Sequence, residues 1–231
     1  MFEVTRITLR SITALFEREK ATLHREGFLS FSKSILCFFT RQLLSHSILY
    51  LYKNSLAGAR IPCEVDGLTL RVITSPEEFD KLLVQVCDLP WYRVGIKQCR
   101  KRLSKGAILF CALIDGEVAH LSWVGVDNRT HGDFHTFLIN YEHEASIGDS
   151  ATNPRYRRKG IYTYVYSEIF QYLREGGRSK AMIEIYKDNI ASQMGQAKLG
   201  SNIWGEGHCL RLLLLFNFRW VKPYMEPSPG K

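Results

Sequence analysis

The stretch Thr152-Asn153-Pro154-Arg155-Tyr156-Arg157-Arg158-Lys159-Gly160-Ile161-Tyr162 lies between a run that reads as a strand, Glu144 to Thr152, and one that reads as a helix, Ile161 to Glu175. Four cationic side chains just ahead of a helix start add their charge to unpaired backbone N–H groups and the positive end of the helix dipole. Such a place receives a diphosphate. Gly160 lets the backbone approach a ligand closely because it carries no Cβ. The same residues also describe a solvated basic turn with a glycine at a helix start. The order Gly-x-x-x-x-Gly-Lys-Ser/Thr of a phosphate-binding P-loop is absent.

Strands and helices alternate around this loop from Cys63 onward, which predicts an α/β layer arrangement. Leu68 to Ile73 alternates as a strand, and Ser75-Pro76-Glu77-Glu78 reads as a helix start with an N-cap serine, a proline at the first helical position and early acids. A second helix is expected over Trp91 to Leu103. Ala107 to Ile114 and Glu117 to Val126 flank Asp115-Gly116, the dipeptide a two-residue hairpin turn favours. Strands follow at Asp133 to Tyr141 and Glu144 to Thr152, then the helix ending at Gly176-Gly177, a strand at Ala181 to Tyr186 and a helix at Ile190 to Leu199 closed by Gly200. Late strands are expected near Asn202 to His208 and Leu212 to Phe218.

Two motifs in this order resemble the GNAT-type, acetyl-CoA-dependent N-acetyltransferases. Their acetyl-CoA loop reads Arg/Gln-x-x-Gly-x-Gly/Ala, and here Arg157-Arg158-Lys159-Gly160-Ile161-Tyr162 begins three residues beyond Pro154. Tyr162 departs from the small final residue, so either the pyrophosphate is held differently or the ring turns away. Their second motif is a strand followed by Asn-x-x-Ala/Ser and then Lys-x-Gly-Phe. In this chain the strand leads to Asn189, Ser192, Lys198, Leu199 and Gly200, with Ser201 replacing the phenylalanine. Read physically, Asn189 caps the helix or hydrogen-bonds the amide-rich pantetheine arm, and Gly200 stops the helix.

The resemblance covers about residues 66 to 222. It implies an α/β (α+β) fold, a central mixed and largely antiparallel sheet flanked by helices. It also implies acetyl-CoA as co-substrate and a primary amine of a small molecule, an amino sugar among the candidates, as acceptor. Ser150, Ala151 and Thr152 are then expected to offer backbone amides to the thioester carbonyl. Arg157, Arg158, Lys159, Gly160, Ile161 and Tyr162 would hold the pyrophosphate, and Asn189 and Ser192 the pantetheine arm.

Acyl transfer from a thioester to an amine needs a deprotonated amine, a polarised carbonyl and a proton for the leaving thiolate. Many relatives carry a tyrosine acid seven residues after the motif asparagine, where this chain has Gln196; Tyr186 or a water takes its place. A base often stands six residues before the position of Thr152. Ser146 is there, and strand alternation puts Glu144 on the same side. Glu144 and Tyr186 are the catalytic candidates, and a binding-only protein that keeps the acyl-CoA site without proton carriers is the alternative. His131, His135 and His143 would need an unusual chain return to meet at a metal, so no metal site is expected. Trp91, Tyr92 and Trp123 either floor an acceptor pocket or belong to the core.

The remaining chain divides into residues 1–62, an N-terminal helical extension ahead of the 63–225 domain, and a proline-rich tail at 226–231. Residues 5–54 read as one or two amphipathic helices broken near Gly27, with Ile35, Leu36, Phe39, Leu43 and Leu44 at helical spacing. That face packs on the main domain or on a second subunit as a homodimer, or it attaches residues 1–58 to an anionic membrane surface. Lys33, Arg41 and His46 interrupt the apolar run Leu29 to Tyr52 and argue against a spanning helix. The chain of 231 residues carries 31 Lys+Arg against 23 Asp+Glu, yet no basic stripe interleaved with aromatics, so nucleic acid is not an expected partner. Six scattered cysteines without a Cys-x-x-Cys pair, and no signal peptide, fit a reducing, cytoplasmic setting.

Overall fold

Leu44–Ser55 is a strand, β1, where the sequence reading expected the end of an amphipathic helix. The run Ile48-Leu49-Tyr50-Leu51-Tyr52 is rich in residues that suit a pleated, half-buried surface, and so short an apolar run fits the helix and strand periods equally well. The computed structural model describes residues 44–57, 65–85, 91–92, 94–133, 137, 139–212 and 216–224. The helices expected over residues 5–43 and the tail over 226–231 lie outside the described residues.

The chain forms two units, a larger one of residues 50–205 with 223–231 and a smaller one of residues 1–49 with 206–222. Among the described residues there are eight strands, mostly antiparallel, and four helices. In the larger unit β2 (Leu68–Ile73), β3 (Ile108–Ile114), β4 (Glu117–Gly125), β5 (Glu144–Thr152), β6 (Lys180–Tyr186) and residues 50–55 of β1 lie side by side in that order. Asp115 and Gly116 turn β3 into β4 with φ of 51° and 78°, the left-handed pair that a tight hairpin requires.

Helix α1 (Pro76–Gln85) begins as the sequence predicts: Glu78 N donates to Ser75 Oγ at 3.2 Å, and Thr74 N donates back to Glu78 Oε2 at 2.8 Å. Helix α2 (Ile96–Ser104) starts five residues later than expected, with Gly95 as its N-cap. Both helices cover one face of the sheet, where Phe79, Leu82, Cys99 and Leu103 pack with Leu109, Leu121 and Trp123. Helix α3 (Ile161–Glu175) covers the other, burying Ile161, Val165 and Ile169 against Ile147 and Ile183. Each such burial contributes about 1.5–3 kcal/mol.

The strand expected at Asp133 to Tyr141 does not form among its described residues. Their polar groups find other partners: Glu184 Oε1 accepts from Phe137 N at 2.7 Å, and Thr130 O accepts from Asp133 N at 3.2 Å. Helix α4 (Ile190–Lys198) follows β6 and ends at Gly200, whose φ of 70° stops it. The late strands are neighbours: β7 (Asn202–Leu212) runs past its expected end, and β8 (Phe216–Pro223) begins four residues later than the expected Leu212 to Phe218 and ends later as well. In the smaller unit His208 stacks on Trp220 with ring centroids 4.9 Å apart, and His46 stacks on His208 at 5.3 Å. No helix among the described residues is long and apolar enough to cross a membrane.

Two irregularities set up the site. Opposite β5, β4 pairs His120 with Thr152 and Leu121 with Ala151, then Trp123 with Gly148, so Asp149 and Ser150 both stand against Ser122. This is a β-bulge, and Asp149 takes a φ of 45°. Strands β5 and β6 run parallel and pair from Glu144 and Lys180 to Ile147 and Ile183, and no register joins them beyond that point.

Candidate functional site

Residues 148–152 of β5 and 184–186 of β6 thus face each other across a parting that opens at Ile147 and Ile183. The loop after β5 carries the chain to the start of α3. Gly160 caps α3 with a φ of 77° and no side-chain hydrogen bond, and its carbonyl accepts the first helical bond from Tyr164 N at 3.0 Å. The N–H groups at such a helix start have no acceptor within the helix and point at whatever sits before it. A Cβ built on Gly160 would meet nothing within 4 Å. Conformation rather than crowding therefore requires glycine there, and the space beside it is open.

Of the four cations predicted to serve this mouth, Arg155 is otherwise engaged. Its Nη1 lies 2.9 Å from Glu117 Oε2, which also accepts from Tyr156 Oη at 2.8 Å. Those two contacts hold the Glu117 carboxyl below its usual range, the tyrosine bond first and the Arg155 charge second. Arg157 Nε reaches Thr152 O at 3.4 Å, and Lys159 Nζ lies 5.3 Å from the centre of the Tyr156 ring. No ion pair among the described residues engages Arg157, Arg158 or Lys159, and all three are exposed. The donor set of bare amides and these cations fits a diphosphate.

Tyr162 settles the first departure from the motif: its ring turns inward. It stacks on Tyr166 at 4.3 Å, meets His120 edge-on at 5.9 Å, and its Oη accepts from Gln196 Nε2 at 2.7 Å. A Cβ built on Gly195 would lie 2.6 Å from Tyr162 Cε1, so only glycine fits opposite the ring. Burial first, and the neighbouring Tyr166 second, push the Tyr162 phenol well above its ordinary pKa. Gln196 is 0% exposed and accepts from Ser201 Oγ at 2.7 Å through its Oε1.

Behind Tyr162 a hydrogen-bonded chain crosses from β5 to α3. Thr152 Oγ1 and His120 Nδ1 are 2.7 Å apart, as are His120 Nε2 and Ser122 Oγ. Ser122 Oγ donates to Ser150 Oγ at 2.8 Å, and Ser150 Oγ is 2.8 Å from Tyr166 Oη. Complete burial pushes the His120 pKa down to about 3, so the imidazole is neutral. The sequence reading passed over His120 and Ser122. Their signal is two polar residues at strand spacing inside the otherwise apolar run Val118 to Val126, facing one side.

The second motif is placed as a cap. Asn189 Oδ1 accepts from Ser192 N at 3.2 Å, so that pair serves the start of α4. Ser150, Ala151 and Thr152 lie in the parted part of β5, and Tyr186 ends β6 with 56% exposure. Glu144 lies at the joined end of β5, where its Oε2 accepts from Asn140 N at 3.1 Å and its Oε1 is 3.7 Å from Lys53 Nζ. Thr152 lies eight residue steps further along the strand, roughly 26 Å at the usual rise. The structure thus joins Thr152 to the loop through Arg157, puts Tyr186 at the end of the strand that parts from β5, and leaves Glu144 at the joined end. Trp123 is fully buried in the core, with its Nε1 donating to Tyr92 Oη, and His131 packs edge-on against Tyr141 at 6.0 Å. His135 lies outside the described residues.

Parted parallel strands beside a basic helix start define the acetyltransferase class of α/β fold. The acetyltransferase (GNAT) family model matches residues 79–194, half of the chain, and the chain belongs to that family. No match was found among curated proteins. Among solved structures, the glucosamine N-acetyltransferase region of a fungal multi-domain beta-N-acetylglucosaminidase aligns over 78% of this chain and 22% of its own, at 12% identity and a TM-score of 0.53. A Drosophila protein aligns over 82% of this chain and 58% of its own, at 12% identity and a TM-score of 0.51. A GCN5-related N-acetyltransferase from Sphaerobacter thermophilus aligns over 86% and 59%, at 11% identity and a TM-score of 0.50. These likenesses show the fold, and this chain spans less than two thirds of each of those structures.

Proposed function

We propose that this protein transfers an acetyl group from acetyl-CoA to a primary amine of a small molecule. The observation that carries the proposal is the parting of β5 from β6 next to the uncapped start of α3. The diphosphate lies against the amides that follow Gly160 and the side chains of Arg157, Arg158 and Lys159. The pantetheine arm enters between the strands, and the amides of Ser150 to Thr152 meet the thioester carbonyl.

The deprotonated amine attacks that carbonyl carbon, and the negative charge gathered on oxygen is held by those amides. Collapse of the tetrahedral adduct breaks the C–S bond. The thiolate takes a proton from Tyr186 or from water, and the amine proton passes to solvent. Glu144, tied to Lys53 at the joined end of the strands, takes no part in this scheme. Amino sugars head the acceptor screen, because the fungal region that shares this fold is a glucosamine N-acetyltransferase region.

Isothermal titration with acetyl-CoA tests the reading. Gly160→Glu places a carboxylate where the diphosphate is assigned and should weaken binding by about tenfold or more, ~1.4 kcal/mol. Undiminished affinity in that variant overturns the assignment. Free-thiol release with a panel of amines, amino sugars included, then identifies the acceptor.

A further inference from the structure

The bulge in β5 is held from both faces of the sheet by residues outside the loop motifs. On the α2 face Arg102, 4% exposed, donates from Nη2 to Asp149 Oδ2 at 2.6 Å and to Asp133 O at 2.6 Å. Its guanidinium lies 5.3 Å from the centre of the Trp123 ring. On the α3 face the chain Thr152–His120–Ser122–Ser150–Tyr166 runs directly across the bulged residues. Its polarity is set from Thr152 as far as Ser150. Ser122 spends its proton on Ser150, so His120 Nε2–H donates to Ser122 and the bare Nδ1 accepts from Thr152 Oγ1.

Asp149 is a non-glycine residue at positive φ, a conformation that persists only where the surroundings over-determine it. Here they do, with a charged hydrogen bond to its own side chain and a neutral imidazole chain to the side chain of the next residue. Burying an arginine and a histidine is a costly way to hold a strand, and apolar packing would do it more cheaply. Hydrogen bonds add what packing lacks, a defined direction for the backbone between them.

We propose that Arg102 and His120 are positioning residues for acyl transfer, fixing the bulge so that the amides of Ser150 to Thr152 face the parted edge and polarise the thioester carbonyl. The inference rests on the acyl-CoA reading above, and it assigns these residues to carbonyl orientation rather than to affinity. Neither side chain touches the acyl donor in this scheme. Each acts through β5.

The test uses the whole chain and acetyl-CoA carrying 13C at the thioester carbonyl, read by isotope-edited infrared spectroscopy beside titration calorimetry. In the unaltered protein the bound carbonyl band should fall below its position in free acetyl-CoA. His120→Leu and Asp149→Ala should keep affinity within about threefold and return the band to its free position. Asp149→Asn, which keeps an acceptor for Arg102, should retain most of the downshift. If His120→Leu does not fold, the two Asp149 variants decide, since that side chain is 41% exposed and Arg102 keeps the Asp133 carbonyl as an acceptor when it is removed. A downshift equal to that of the unaltered protein in His120→Leu or Asp149→Ala overturns the positioning role and leaves the acyl-CoA reading standing. Loss of affinity together with the downshift also overturns it. Failure of the unaltered chain to bind acetyl-CoA overturns both.

Discussion

Gln196 Nε2 donates to Tyr162 Oη at 2.7 Å, so two of the places where the chain departs from its family's motifs touch each other. A large ring stands where a small residue is usual, and an amide stands where a phenol is usual. The two substitutions complement each other in volume and in hydrogen bonding. Tyr162→Phe should leave the Gln196 amide buried without an acceptor at a cost of about 1–3 kcal/mol. Urea unfolding of Tyr162→Phe, Gln196→Ala and the double variant should show a coupling of about 0.5–3 kcal/mol, and strict additivity would refute the pairing.

Gly195 faces the same ring. Gly195→Ala forces its new methyl group to within 2.6 Å of Tyr162 Cε1, a contact that must be relieved by moving α4 or the ring. The expected loss is about 1–3 kcal/mol. Tyr162→Ala removes the obstacle, so the double variant should lose measurably less than the sum of the two single changes in the same unfolding assay.

Arg155 and Lys159 sit four residues apart in one basic loop, yet they should behave differently. Arg155 is paired with Glu117 in solvent, with side chains 72% and 52% exposed, and such pairs contribute little. Arg155→Ala should leave acetyl-CoA affinity nearly unchanged. Lys159→Ala and Arg158→Ala should each weaken it by on the order of 1 kcal/mol at low salt, and the loss should shrink as salt screens the phosphates. Titration calorimetry at two ionic strengths separates the cases, and an equal loss in all three variants would contradict the partition.

His120 sets a pH dependence whose direction follows from its depressed pKa. The folded imidazole stays neutral down to about pH 3, while the unfolded side chain takes a proton below about 6.5. The unfolded state therefore binds more protons between those values, and stability falls as pH drops from 6.5 toward 3. Between pH 6.5 and 5, before carboxylates contribute, the slope should approach ~1.4 kcal/mol per pH unit from this residue. Unfolding free energies of the unaltered protein and of His120→Gln, measured across that window, should differ by this slope. Parallel curves would contradict the burial of a neutral imidazole.

Local chemistry made part of this structure legible. The Asp115-Gly116 turn, the Ser75 cap, the Asn189 cap and the Gly200 helix stop each follow from a rule about a few adjacent residues, and each is found. The family motifs located the loop. What stayed hidden depends on partners distant in sequence. Nothing near Arg155 announces Glu117, 38 positions earlier, and nothing near Tyr162 announces the gap left by Gly195. β1 was misread because Leu43 to Tyr52 satisfies two periodicities, and pairing with a strand formed over a hundred residues later decides between them. The described residues between 133 and 141 were misread because the backbone N–H groups of Asp133 and Phe137 are claimed by a turn and a glutamate.

Where β5 leaves β6 the sheet acquires a rim in its interior. Outer rims are liabilities, since any extended chain can add to them and aggregation begins there. An inner rim lies instead between two strands of its own sheet, with α3 packed on one face. The protein can thus keep unsatisfied backbone ready for a slender guest without offering its own copies a seam along which to stick.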